Sequence, residues 1–184
     1  MSGHNKWKQI KEKKGKTDAQ RSKVFTKYAR LLTVEARKAK GRRDAPEVKA
    51  VIERARAANM PNENIDRAIK KATEAGGGEM EHITYEAYGP GGCALIIETL
   101  TDNRNKAAQE VKHILSDHGF EIAGIGAASW AFEKIKPNHA TGEKGGWQAT
   151  TTIPLSEEDG AKLVMLTEAL EENDEVQEVY TNAE

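Results

Sequence analysis

His113, Asp117 and His118 are of the types that hold metal ions or move protons. On a helix, positions 113 and 117 share a face, while 118 lies further round. No second group of Cys, His or carboxylates stands at ligand spacing, so surface or boundary histidines are expected, with no metal and no cofactor. Cys93 is the single cysteine and opens an apolar run; without a base on an identifiable element nearby it reads as a small core residue rather than a nucleophile. The GPGG of 89–92 has the glycines of a phosphate cradle. It lacks the lysine and hydroxyl residue of such a loop and precedes a strand instead of following one, so a tight turn is expected. No catalytic constellation assembles, and an enzyme is not expected.

A different chemistry is concentrated near the start. GHNKWKQIKEKKGK, residues 3–16, holds six lysines against one acid. Ammonium groups at this density, with guanidinium groups close behind, are suited to phosphate backbones. The candidate contacts are Lys6, Lys8, Lys11, Lys13, Lys14 and Lys16 of the arm, then Arg21, Lys23, Lys27, Arg30, Arg37, Lys38, Arg42 and Arg43. Trp7 has two roles open to it, stacking on a base or anchoring the arm. Residues 1–77 contain 21 of the 28 Lys and Arg but 9 of the 29 Asp and Glu, a net of +12 against −13 for the rest. Such a division is a statement about partners, because a basic module attracts polyanions that an acidic one repels. The expected partner is nucleic acid, DNA or ribosomal RNA, with the ribosome as one form of it. Lysine contacts read charge and shape more than base edges, so strong sequence specificity is not expected. Arg104 and Lys106, two of the seven positive residues of the acidic half, are candidates for a secondary contact.

The elements that must position these residues follow from periodicity. From Asp18 to Lys40, a helical projection gathers Val24, Phe25, Tyr28, Leu31, Leu32, Ala36 and Ala39 on one face, with Lys23, Lys27, Arg30, Arg37 and Lys38 opposite. A second helix is expected from Pro46, facing inward through Val48, Val51, Ile52 and Ala55. A third opens at Pro61 and Asn62, packs through Ile65, Ala68, Ile69 and Ala72, and stops at a glycine triplet. Beyond it, CALIIETL (93–100) reads as a buried strand and TDN as the cap of a helix, with Asp102 as capping residue. SWAF (129–132) and WQATTTI (147–153) read as strands. Ser156 with Asp159 starts a helix through Glu172, and EVQEVYT ends the sheet. The fold class is therefore α+β: a basic arm and three-helix bundle over 1–77, then a ferredoxin-like split βαβ domain over 78–184, in β-α-β-β-α-β order with an antiparallel sheet. The longest apolar run, Cys93–Ile97, is too short to cross a membrane, and no signal peptide is visible. A cytoplasmic monomer is expected.

Several long motifs bear a family resemblance. GHNKWKQIK, FTK at 25–27, AANMPNENIDRAIKKAT at 57–73, YEAYGPGG at 85–92, LTDNRNKAAQEV at 100–111 and SWAF resemble the YebC family, as does PLSEEDGAKLVMLTEALEENDEVQEVYTNAE at the end. This family is labelled a transcriptional regulator in bacteria and is related to the mitochondrial translational activator of cytochrome c oxidase subunit I. The resemblance implies a three-helix domain, a ferredoxin-like domain and a third domain inserted in the second. In place of most of that insertion this chain has a linker of about 136–147, and its KAKGRRDAPEV loop departs from the glycines and Asp-Pro usual in the family. The resemblance also implies two functions, DNA binding that adjusts transcription, or ribosome binding that helps translation through proline runs.

Overall fold

The structure, a computed structural model, describes residues 18–74, 78–138 and 144–184. They form two compact units. One holds the described residues up to Met80 with 136–138 and 144–145; the other holds Glu81–Ile135 and Gly146–Glu184.

The first unit contains α1 (Asp18–Lys38), α2 (Pro46–Ala57) and α3 (Asn62–Thr73). The inward face expected for α1 is fully buried only in its second half, through Leu32 and Ala36 with Ala39 just beyond; Phe25, Tyr28 and Leu31 pack against that core half-buried. The helix ends two residues before Lys40. Lys40 and Gly41 take φ of 54° and 78°, and the Gly41 N–H donates to the Ala36 carbonyl at 2.8 Å. Glycine is required at 41 twice over, since a Cβ there would meet Thr73 Cγ2 at 2.6 Å. Pro46 occupies the first turn of α2 as expected, and the inward residues Val48, Val51, Ile52 and Ala55 are buried. Asn59 at φ 63° and a Met60 N–H to Ala55 carbonyl bond of 2.9 Å close that helix.

Helices α1 and α3 run parallel. Thr33 Oγ1 donates to the Ala68 carbonyl at 3.2 Å and Arg37 Nε to the Ala72 carbonyl at 3.4 Å, a constant offset of 35 residues. Their carboxyl ends therefore meet, concentrating the partial negative charge of two sets of unpaired carbonyls. Arg37 answers this by also donating through Nη1 to the Gly78 carbonyl at 2.8 Å.

The second unit is built on one antiparallel sheet in the order β3-β1-β2-β6. β1 (Glu81–Tyr88) and β2 (Ala94–Thr101) form a hairpin; β3 (Ile122–Ala123) flanks β1, and β6 (Val176–Thr181) flanks β2. α4 (Arg104–Asp117) links β2 to β3, which lie parallel with β1 between them: the expected split βαβ unit. α4 and α5 (Glu157–Glu172) contribute Val111, Leu115, Leu163, Leu166 and Leu170 to the core under Leu95 and Ile97. The opposite face of β2, with Ala94 and Ile96, lies under a separate two-stranded ribbon of β4 (Phe132–Ile135) and β5 (Gly146–Ala149), which brings Phe132 and Trp147. β2 is thus covered on both faces, which is why it reads as an unbroken apolar run.

The α+β class and antiparallel sheet are as expected, but the strand inventory is not. The hairpin strand β1 precedes the first expected strand, so the splitting strand comes before the unit it splits. SWAF is no strand: Ser129–Ala131 is a 3₁₀ turn, and β4 begins at Phe132. The cause is Glu86 of β1. Its buried carboxylate accepts from the N–H groups of Gly126, Ala128 and Ser129 at 2.8, 2.7 and 2.8 Å and curls the backbone around itself. Trp130 then points outward, 60% exposed, with its indole N–H donating to the Tyr88 hydroxyl at 3.0 Å. β5 stops at Ala149, leaving Ile153 a single bridge to Ala183. The cap of α4 is Asn103, which accepts from the Lys106 N–H at 3.0 Å, not Asp102. Ser156 caps α5 as expected, accepting from the Asp159 N–H at 3.1 Å.

Burial alone would raise the Glu86 carboxyl, but the three N–H donors outweigh it and hold the group below its ordinary value. Glu86→Gln is expected to lower unfolding free energy at neutral pH by about 1–3 kcal/mol. A depressed folded-state pKa stabilises above the unfolded value and is lost as pH falls through the folded one. Urea titrations at pH 7 and pH 3 should therefore show a gap between wild type and variant that narrows in acid.

Candidate nucleic-acid interface

Of the expected contacts, Lys6, Trp7, Lys8, Lys11, Lys13, Lys14 and Lys16 lie outside the described residues. The rest of the set divides by what each side chain already does. Arg21, on the first turn of α1, pairs with Asp18 at 3.5 Å, and Lys38, on the last, pairs with Glu35 at 2.9 Å. Lys23, Lys27 and Arg30 are half-buried rather than fully outward. Arg37 holds the carboxyl end of α3, as described above. In the loop after α1, Arg42 Nε donates to the Ala39 carbonyl at 3.3 Å and Arg43 pairs with Asp66 of α3. Several cations that a projection places on a solvent stripe are thus engaged in holding helix ends and joining helices.

Other cations of the unit were not picked out by sequence. Arg67, Lys70 and Lys71 of α3 and Lys40 of the loop are exposed, and their side chains have no hydrogen-bond or ion-pair partner among the described residues. The signal that could have found them is the same projection that located the core of α3: with Ile65, Ala68, Ile69 and Ala72 inward, positions 67, 70 and 71 must face out. Beside Arg37, a cavity of about 220 Å³ is lined by Thr33, Val34, Arg37, Lys38, Glu79 and Met80. It holds no cluster of convergent catalytic groups.

In the second unit, Arg104 and Lys106 both hold acids. Arg104 Nη2 lies 3.4 Å from Glu81 of β1, both side chains exposed. Lys106 Nζ lies 3.3 Å from Oε1 of Glu175, whose side chain is 2% exposed, and 3.7 Å from Glu110. Asn173 completes the group by donating to Glu110 at 2.7 Å and accepting from the Glu175 N–H at 2.8 Å. Tyr85 lies in the same electrostatic environment. Burial raises its hydroxyl pKa, with Arg104 lowering it and Glu175 adding to the rise.

Of the groups with catalytic chemistry, two meet. His113 Nε2 approaches Asp117 at 3.4 Å on the exposed side of α4, and His118 Nδ1 meets the Ile114 carbonyl at 2.9 Å. No group of three His, Cys, Asp or Glu among the described residues could hold a metal ion. Cys93 is fully buried, which pushes its thiol up and away from the thiolate. GPGG closes the β1–β2 hairpin. Gly91 and Gly92 take φ of 63° and 77°, and a Cβ on Gly91 would strike Leu155 Cδ2 at 2.6 Å, so the loop packs on its own chain. No helix among the described residues is long and apolar enough to cross a membrane.

Comparison with known sequences decides the family. The description "TACO1/YebC protein N-terminal domain" matches residues 5–75, and "TACO1/YebC second and third domain" matches 80–137 and 138–183. The chain belongs to the TACO1/YebC family. Among curated TACO1/YebC-like relatives, a "Probable transcriptional regulatory protein" of Rubrobacter xylanophilus is 37% identical over 237 positions, covering 99% of this chain and 95% of the relative. One of the same description from Petrotoga mobilis is 45% identical over 192 positions, covering 100% and 71%. The first alignment is longer than the 184-residue chain, so parts of the relative have no counterpart here. In this TACO1/YebC chain the two matched pieces of the second model, 80–137 and 138–183, meet at 137 and 138. The crystal structure of a conserved hypothetical protein from Aquifex aeolicus superposes with a TM-score of 0.80 at 31% identity, covering 92% of each chain.

The two engaged cations of the second unit should separate on mutation. Lys106→Met, which strips the partner from a buried carboxylate, is expected to destabilise by about 1–3 kcal/mol. Arg104→Ala breaks an exposed pair and should cost under about 1 kcal/mol. Urea unfolding of the two variants checks the order.

Proposed function

We propose that this protein is a non-catalytic regulator of gene expression that binds nucleic-acid backbones through its basic N-terminal part. The observation that carries the proposal is the division of charge, +12 over residues 1–77 against −13 over the rest. Opposite signs on two modules of one chain direct a polyanion to the first and away from the second. The names of the family's curated relatives, which say "Probable transcriptional regulatory protein", support a regulator, and DNA is the target taken first in this reading. The buried Cys93 and the exposed His113–Asp117 pair leave the regulatory role without an evident reaction chemistry.

Binding of a fluorescent DNA duplex, followed by anisotropy across salt concentrations, tests this. The full chain should show a steep fall of affinity with salt. Replacing Lys8, Lys11, Lys13 and Lys14 with Ala should flatten the log–log slope by roughly one for each phosphate that is no longer neutralised. Unchanged affinity and slope would remove the arm from the interface. A competing ribosomal RNA fragment, and sedimentation with ribosomes at two salt concentrations, would reveal a translational role if those were preferred over the duplex.

A further inference from the structure

We infer that the outward face of α3, with Arg67, Lys70 and Lys71, is a sugar-phosphate contact surface in the same interface. This inference rests on the nucleic-acid reading above and supplies residues that the charge pattern alone does not single out. Positions 67, 70 and 71 are spaced i, i+3 and i+4, so their side chains form one cluster on the helix surface. The opposite side of α3 is occupied by Ile65, Ala68, Ile69 and Ala72 in the core, which leaves the cluster facing solvent. All three residues are exposed, and among the described residues none has a side-chain partner.

The engagement of neighbouring cations strengthens the assignment. Arg21, Lys38 and Arg43 are paired with Asp18, Glu35 and Asp66, and the Arg43 pair removes the acid nearest Arg67 in sequence. Glu63 and Glu74, one turn to either side, are the other acids of α3 and its cap. The competing explanation is that these cations only offset the carbonyl end of α3. That end is already served: Arg37 donates to Ala72, and the Thr73 hydroxyl donates to the Lys70 carbonyl at 2.8 Å. Arg67 also sits more than a turn from the end, where the dipole has faded. Gly41 closely approaches Thr73, so its exposed neighbour Lys40 stands on the loop that meets the last turn of α3.

The test compares the full chain with Arg67→Ala/Lys70→Ala/Lys71→Ala. A charge-matched control carries Lys112→Ala/Lys134→Ala/Lys162→Ala in the acidic unit. Each is titrated with a DNA duplex and with a structured RNA across salt concentrations. The α3 variant should weaken both complexes and reduce the log–log slope by about two to three for the duplex, while the control matches wild type. Lys70→Arg/Lys71→Arg should retain wild-type binding, and circular-dichroism melts of all variants exclude unfolding as the cause. Wild-type affinity and slope in a folded α3 variant would overturn the inference while leaving the nucleic-acid reading intact. An equal loss in the control would overturn it too, by showing an effect of net charge alone. Absence of binding by wild type to either polymer would instead overturn the nucleic-acid reading and this inference with it.

Discussion

Strand β2 has neighbours on both edges and cover on both faces, and the second unit is arranged to satisfy that. Its edges pair with β1 and β6. One face rests on α4 and α5, the other beneath the β4–β5 ribbon. A strand so placed can carry apolar side chains throughout, and Leu95, Ile96 and Ile97 are fully buried together. Each burial is worth about 1.5–3 kcal/mol, Leu95 and Ile97 on the helix face and Ile96 on the ribbon face.

The ribbon face is also where the polar accommodations gather. Glu98 of β2 accepts from the Thr84 hydroxyl at 3.0 Å and the Trp147 indole at 2.6 Å, and Tyr180 of β6 donates to Glu178 at 2.9 Å. Burial and Glu178 raise the Tyr180 hydroxyl pKa, so it remains a donor. Glu86 completes the set by curling residues 126–129 against the sheet. Carboxylates on a nearly buried face are tolerable only when their oxygens are answered by donors, and these are. The chain between β4 and β5 is short, and the two matched pieces of the family's second model abut within it at 137 and 138.

In the helical unit the governing constraint is the parallel pairing of α1 with α3. Because both carboxyl ends meet, part of the positive charge is used within the fold, through Arg37 on the Ala72 and Gly78 carbonyls. A surplus of +12 therefore does not translate residue by residue into contacts with a ligand. An acid or a carbonyl within reach decides which cations are engaged inside the unit, and that separates Arg37, Lys38 and Arg43 from Arg67, Lys70 and Lys71.

Much of this was legible from the sequence by itself. Charge division, the helices anchored by Pro46 and Pro61, the Ser156 cap and a buried strand, expected at 93–100 and found at Ala94–Thr101, follow from local composition, periodicity and turn chemistry, which act over a few residues. The family too was legible, because its motifs are long and occur in order. Other features depended on partners far away in the chain. Glu86, holding N–H groups some 40 positions away, turns Ser129–Ala131 from an apparent strand into a 3₁₀ turn, and Lys106 looked like a free cation until Glu175, 69 residues on, came against it. Only the tertiary structure could decide these, because a hydrogen bond or ion pair depends on distance in space, and side-chain type alone does not say which partner the fold will bring within reach.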